Sequence, residues 1–156
     1  MIKIISVVGA GECDAEVALL AQEIGVLLAH RGFAVACGGL GGVMAAACRG
    51  AKSVGGLTIG ILPGSDPVAA NPWVDVPIAT GLAEARNFLV VRCAQAVIAV
   101  GGEYGTLSEI AFALKIGKPV IGLRTWQLAR EGRLQDFFTQ VNTPLEAVEA
   151  CVAALG

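Results

Sequence analysis

Several largely apolar, strand-length runs in this chain end abruptly on glycine. Residues 2–8 run into Gly9-Ala10-Gly11, residues 33–37 into Gly38-Gly39-Leu40-Gly41-Gly42, and residues 96–100 into Gly101-Gly102-Glu103-Tyr104-Gly105-Thr106. A run of five to seven residues with little polar alternation suits a strand covered on both faces, as in a parallel sheet. Helical spacing fills the intervals. Residues 15–29 follow Asp14, which is placed to cap them, and Gly32 breaks the pattern. The alanine-rich residues 43–52 stop at Gly55-Gly56, residues 82–94 keep helical spacing, and a helix from about Thr106 to Ile116 ends at Gly117. Residues 57–62, 74–78 and 119–123 read as further strands, with Pro77 marking 74–78 as an edge. Strand alternating with helix predicts βαβ units with right-handed crossovers. The expected fold is α/β, a doubly wound Rossmann-like parallel sheet in three α/β/α layers.

Past residue 123 the signals weaken. Residues 126–133 are expected to be irregular, and 136–141 to form either a last strand or a short helix. The final helix is better marked, because Thr143, Pro144 and Glu146 make a capping box with proline at the first helical position.

At 156 residues the chain reads as one domain, residues 1–156, able to bury a core without disulfides or metal. It is 55% hydrophobic but only 5% aromatic, so the apolar content is Ala, Val, Ile and Leu, as a buried parallel sheet requires. No run reaches the roughly 18 apolar residues of a membrane span, and the N-terminal apolar stretch is too short for a signal peptide. A cytoplasmic location is the expectation. Cys13, Cys37, Cys48, Cys93 and Cys151 form no CxxC pair, and His30 is the one histidine. Neither a metal site nor a disulfide framework is predicted, and the cysteines read as small buried apolar residues in a reducing compartment. His30, just before Arg31-Gly32, helps to end its helix and leaves no partner for a Ser-His-Asp or Cys-His mechanism. The net charge of −2 gives no footprint for nucleic acid, and Arg124, Arg130 and Arg133 read as a solvated loop face.

The glycine turns carry the chemistry. Glycine lets a ligand approach the backbone, and a helix starting there aims free N–H groups and a positive dipole end at an anion, most naturally a phosphate. The dinucleotide fingerprint is missing. Gly9-Ala10-Gly11 is followed by Glu12-Cys13-Asp14 without the third glycine, and the second strand ends without an acid for a ribose. No GK[ST] follows any glycine run, which excludes a P-loop. Thr106 can cap its helix and offer a hydroxyl to phosphate. Glu109, three residues on, fits either a capping box with Thr106 or a catalytic carboxylate. Arg86 sits near a helix start, against the dipole, where an anionic ligand or a carboxylate would hold it, unless it is simply exposed. Residues 63–72, with three prolines, form a loop at a strand end and are expected to shape the pocket.

Gly101-Gly102-x-x-Gly105-Thr106-x-x-Glu109, with Arg86-Asn87 upstream and Gly38-Gly39-Leu40-Gly41-Gly42-Val43-Met44 earlier, resembles the Rossmann-like superfamily of LONELY GUY phosphoribohydrolases. That superfamily also holds "lysine decarboxylase-like" proteins, molybdenum cofactor carrier proteins and a DNA-processing protein. Its enzymes cleave the N-glycosidic bond of a nucleoside 5′-monophosphate. The resemblance implies Arg86 and Glu109 as the catalytic pair, and Gly102, Gly105 and Thr106 as the phosphate turn. Gly39 and Gly42 would line the same cleft, with Gly11 and Asn87 completing the ligand-binding set. Val100 replaces the hydrolases' usual proline, and Ala85-Arg86-Asn87 replaces Glu-Arg-Lys. The Arg86-Asn87 form and the short length are similar to the cofactor-carrier branch and its uncharacterised bacterial relatives. The implied function is a carrier or sensor that binds a nucleoside monophosphate or molybdopterin-type cofactor, with no resident cofactor required. The alternative is a phosphoribohydrolase. A homodimer or homotetramer is implied, with neither nucleic acid nor membrane as partner.

Overall fold

The glycine-ended runs become the middle of a seven-stranded parallel sheet in the computed structural model, which describes residues 1–156. In chain order the elements are β1 (Ile4–Gly9), α1 (Ala15–His30), β2 (Ala34–Cys37), α2 (Val43–Ser53), β3 (Thr58–Leu62) and β4 (Val76–Ala79). They continue with α3 (Arg86–Arg92), β5 (Ala96–Val100), α4 (Tyr104–Lys115), β6 (Val120–Leu123), β7 (Leu128–Arg130), β8 (Arg133–Gln135), β9 (Thr139–Val141) and α5 (Pro144–Leu155). The sheet order is β4-β3-β2-β1-β5-β6-β9. Ile5 of β1 pairs with Val35 on one side and Ala96 on the other. The chain winds outward from β1 to β4 and then crosses back to β5. The order therefore reverses between β1 and β5, and beyond the carboxyl ends of those strands lies the crevice where such sheets hold ligands.

Alternate strand residues feed opposite cores. Ile5, Val7, Ala96, Ile98 and Val100 meet α1, α2 and α5, while Val8, Val97 and Ala99 meet α3 and α4. Ser6 is fully buried, and its hydroxyl donates to the Val90 carbonyl of α3 at 2.5 Å, so the polar residue in an apolar strand ties a helix to the sheet. Helices α1 and α2 approach through glycine. A Cβ on Gly25 would lie 2.1 Å from the Ala47 carbonyl oxygen, and one on Gly50 1.9 Å from that of Gln22.

Asp14 caps α1 by accepting the Val17 N–H at 2.8 Å, and His30 is its last residue. Strand β4 is the edge that Pro77 called for. The segment expected to be irregular is instead ordered. Strands β7 and β8 form an antiparallel hairpin whose turn residues, Glu131 and Gly132, both have positive φ, 52° and 75°. That is the backbone of a two-residue hairpin turn, in a sequence lacking its usual Asn-Gly signature. Of the two expectations for residues 136–141 the strand is correct, since β9 pairs parallel to β6. In the final capping box Thr143 Oγ1 accepts the Glu146 N–H at 3.2 Å, while the Glu146 carboxylate receives the Asn142 N–H at 2.9 Å. No helix is long and apolar enough to cross a membrane.

Candidate functional site

At the switch point the ends of β1, β2 and β5 and the starts of α3 and α4 enclose a cavity of about 550 Å³. The first glycine turn supplies Val8, Gly9, Ala10, Gly11 and Glu12, and the second supplies Gly38, Leu40 and Met44. Arg86 and Asn87 open α3, and Glu84 lies in the turn just before it. Glu103, Gly105, Thr106 and Glu109 come from the first turns of α4.

Helix geometry makes the α4 wall a donor surface. The first intrahelical bond runs from the Leu107 N–H to the Glu103 carbonyl at 3.0 Å, so the N–H groups of residues 104–106 have no partner of that kind. Gly102 permits this turn. Its φ is 100°, and a Cβ there would fall 2.3 Å from Thr106 Oγ1, whose residue is buried. Gly42 does the same for the other wall. Its φ is 59°, and a Cβ would come 2.2 Å from the Ala10 carbonyl oxygen, so the first and second glycine turns touch there.

Arg86 is the cavity's cation. Its guanidinium donates to Asn87 Oδ1 and, at 3.4 Å, to the Gly38 carbonyl. Its Nε is buried without any partner. Asn87, itself buried, passes the contact on. Its Nδ2 donates to Ser108 Oγ at 3.2 Å, and Ser108 donates to the Gly105 carbonyl at 2.6 Å. Arg86 is thus braced from both β2 and α4.

Glu109 faces this cation without forming an ion pair, since the three ion pairs of the structure lie elsewhere. Helix α4 begins at Tyr104 with Glu103 as N-cap, so Thr106 is inside the helix and Glu109 closes no capping box. Burial pushes the Glu109 carboxyl from its ordinary 4.5 to about 8, and the charge of Arg86 offsets only part of that rise. The acid is therefore mostly protonated at neutral pH and presents a hydroxyl donor to the cavity.

The structure brings together Arg86, Glu109, Gly11, Asn87, Gly105 and Thr106 on one cavity wall or another. Gly39, Gly42 and Gly102 are not among the lining residues. They shape the backbone behind it, Gly39 against Leu62, whose side chain a Cβ would meet at 2.6 Å. The loop 63–72 also supplies no lining residue. It braces the second glycine turn from outside, with the Asn71 N–H donating to the Gly39 carbonyl and Asn71 Nδ2 to that of Leu40, both at 2.9 Å. Sequence reasoning passed over Glu12, Glu84 and Glu103, exposed carboxylates on the cavity rim that no motif marks. It also passed over Met44 as a wall residue, although the glycine motif runs directly into it.

The comparisons extend over nearly the whole chain. Residues 2–150 match the SLOG cluster4 family. An uncharacterised protein of Archaeoglobus fulgidus is 45% identical over 150 residues, spanning 96% of this chain and 95% of that one. The structure of the molybdenum cofactor binding protein from the phototrophic bacterium Rippkaea orientalis superposes with a TM-score of 0.92 at 36% identity, covering 100% of this chain and 99% of the other. The molybdenum cofactor carrier protein of Chlamydomonas reinhardtii gives a TM-score of 0.87 at 33% identity, with 99% of each chain covered. This is the branch to which Arg86-Asn87 and the short length pointed, and the chain belongs to the SLOG cluster4 family.

Proposed function

We propose that the chain binds a phosphorylated small molecule, a molybdopterin-type cofactor or a nucleotide, in the switch-point cavity and acts as its carrier or sensor. The observation that carries this reading is Arg86. Its Nε–H is buried without a partner beside a wall of unpaired backbone N–H groups, a donor set that fits an oxyanion. In this reading Arg86 Nε and the first turn of α4 hold the phosphate, with Thr106 Oγ1 as a further donor. Protonated Glu109 donates rather than repels. The cavity, at about 550 Å³, leaves room for a heterocycle beyond the phosphate. The likeness to molybdenum cofactor binding and carrier proteins over the full chain supports the pterin form of the ligand.

A second reading has its own observation. Glu109, an acid near 8 beside a cation, is poised as a general acid for a departing base, and once ionised would stabilise an oxocarbenium-like sugar. This is the phosphoribohydrolase alternative.

A thermal-shift titration with molybdopterin and with nucleoside monophosphates, free base being assayed in the same samples, separates the two. Stabilisation without base release supports the carrier, and stabilisation with release the hydrolase. Arg86→Ala should abolish the shift. If no phosphorylated ligand shifts the wild type, or Arg86→Ala shifts as the wild type does, the binding reading fails.

A further inference from the structure

Behind the cavity wall lies a cluster of sulfur that the binding site does not use. Cys37 ends β2 and Cys48 lies in α2. Their Sγ atoms are 3.5 Å apart, and both side chains are fully buried. Met44 packs with them, flanked by Leu40, Trp73 and Val74. Met44 and Leu40 also line the cavity, so a molecule the size of water or peroxide in the cavity is separated from the thiols by that side-chain layer. Of the five cysteines, these two alone share a thiol–thiol contact.

We propose that Cys37 and Cys48 are the chain's preferred site of thiol oxidation, forming a disulfide on reaction with a hydroperoxide. This holds whichever ligand the cavity takes. Cys48 is the attacking sulfur. The hydrogen bond from Cys37 holds its thiol below the usual range, while the same bond, with burial, holds Cys37 well above it. Burial raises the thiols of Cys13, Cys93 and Cys151 instead. The Cys48 thiolate attacks one peroxide oxygen and the O–O bond breaks. The products are a sulfenic acid and, with one proton, the alcohol or water of the leaving oxygen. The Cys37 sulfur then attacks the sulfenic sulfur, the S–O bond breaks, and the departing hydroxide leaves as water with the Cys37 proton. Two thiols and one hydroperoxide thus give one disulfide, one water and one alcohol or second water, and two electrons pass from sulfur to oxygen.

Cys37 Sγ also accepts the Gly39 N–H at 3.3 Å, so the sulfur pair is tied to the second glycine turn. Gly38, between them, is the residue whose carbonyl braces Arg86. The sulfur pair thus adjoins the turn whose carbonyl supports the cavity's cation.

The test is a thiol map of the full-length protein after one equivalent of hydrogen peroxide, denaturation, alkylation and trypsin. Residues 32–49 carry no internal Lys or Arg, so trypsin releases both cysteines in one peptide. The expected result is that peptide unalkylated and two hydrogens lighter, with Cys13, Cys93 and Cys151 fully alkylated, and the change reversed by dithiothreitol. In a Trp126→Phe variant, Trp73 is the remaining tryptophan and its emission should shift with the same dose dependence. Full alkylation of all five cysteines, or earlier oxidation at any of the other three, overturns the proposal. The wild-type map decides this by itself, and Cys48→Ser, where it folds, should leave Cys37 alkylated at the same dose.

Discussion

Replacing Glu109 by Gln removes the one carboxyl whose ionisation the fold opposes, and the size of the effect follows from its environment. The carboxyl titrates at 4.5 in an ordinary setting and at about 8 in the folded protein. Between those values the native state keeps a proton that the unfolded chain has released. More protons are bound in the native state, so stability falls as pH rises through this window. At about 1.36 kcal/mol per pH unit the full gap corresponds to about 5 kcal/mol by pH 8, and about 3 kcal/mol by pH 7. Water reaching the carboxyl through the cavity makes these ceilings. Glutamine has the shape of the protonated acid and no such titration. Urea unfolding at pH 5, 7 and 8.5 measures the difference. The variant should match the wild type at pH 5 and exceed it by a few kcal/mol at pH 8.5. Parallel pH profiles for the two proteins would refute the argument, because Glu109 would then ionise in the folded state as it does in water.

Three further outcomes can be measured alongside. Gly50→Ala sets a Cβ within 1.9 Å of the Gln22 carbonyl oxygen, where no flexible side chain can yield, so α1 and α2 must separate. Urea unfolding should register a loss of at least about 2 kcal/mol. Gly102→Ala combines a φ of 100° with a Cβ 2.3 Å from Thr106 Oγ1. Melting should show a cost of about 1–3 kcal/mol, and ligand binding should weaken with it. Asn87→Ala removes the link between Arg86 and Ser108, and should lower ligand affinity about tenfold by isothermal titration while costing about 1 kcal/mol of stability.

The central strands were legible because β1, β2 and β5 are buried on both faces and end at glycine. In them composition, length and punctuation point the same way. The hairpin of β7 and β8 was not. Its strands are three residues long and mostly exposed, so no burial pattern is imposed on them, and Glu131-Gly132 carries only half of the expected turn signature. The glycines show a subtler limit. Gly11 and Gly105 line the cavity, whereas Gly39, Gly42 and Gly102 are required by neighbouring atoms of the chain itself. Sequence marks all five alike, because a missing Cβ serves a ligand and a crowded backbone equally. Glu109 was ambiguous for a similar reason. Three-residue spacing from a threonine fits a capping box and a site carboxylate, and the ambiguity ends only because α4 starts at Tyr104, ahead of Thr106.

The two exceptional side chains of the cavity share one energetic logic. Leaving the Arg86 Nε–H buried and unpaired, and holding Glu109 where its charge is desolvated, both cost stability in the free protein. Asn87 and Gly38 each accept from one terminal nitrogen of the guanidinium, so the unsatisfied Nε–H is held in place rather than free to turn to solvent. In the proposed binding mode an oxyanion between the two residues would relieve the first cost by accepting from Arg86 Nε, and would also accept from the protonated carboxyl of Glu109. Occupancy should therefore stabilise the fold by more than the contacts alone would give. It should also raise the pH at which Glu109 ionises, because the anion opposes a second negative charge beside it. By linkage, affinity for an anionic ligand then falls as pH climbs through about 8 and loses that step in Glu109→Gln. A titration series across that range reads both effects, and an affinity independent of pH in the wild type would place the anion elsewhere in the cavity.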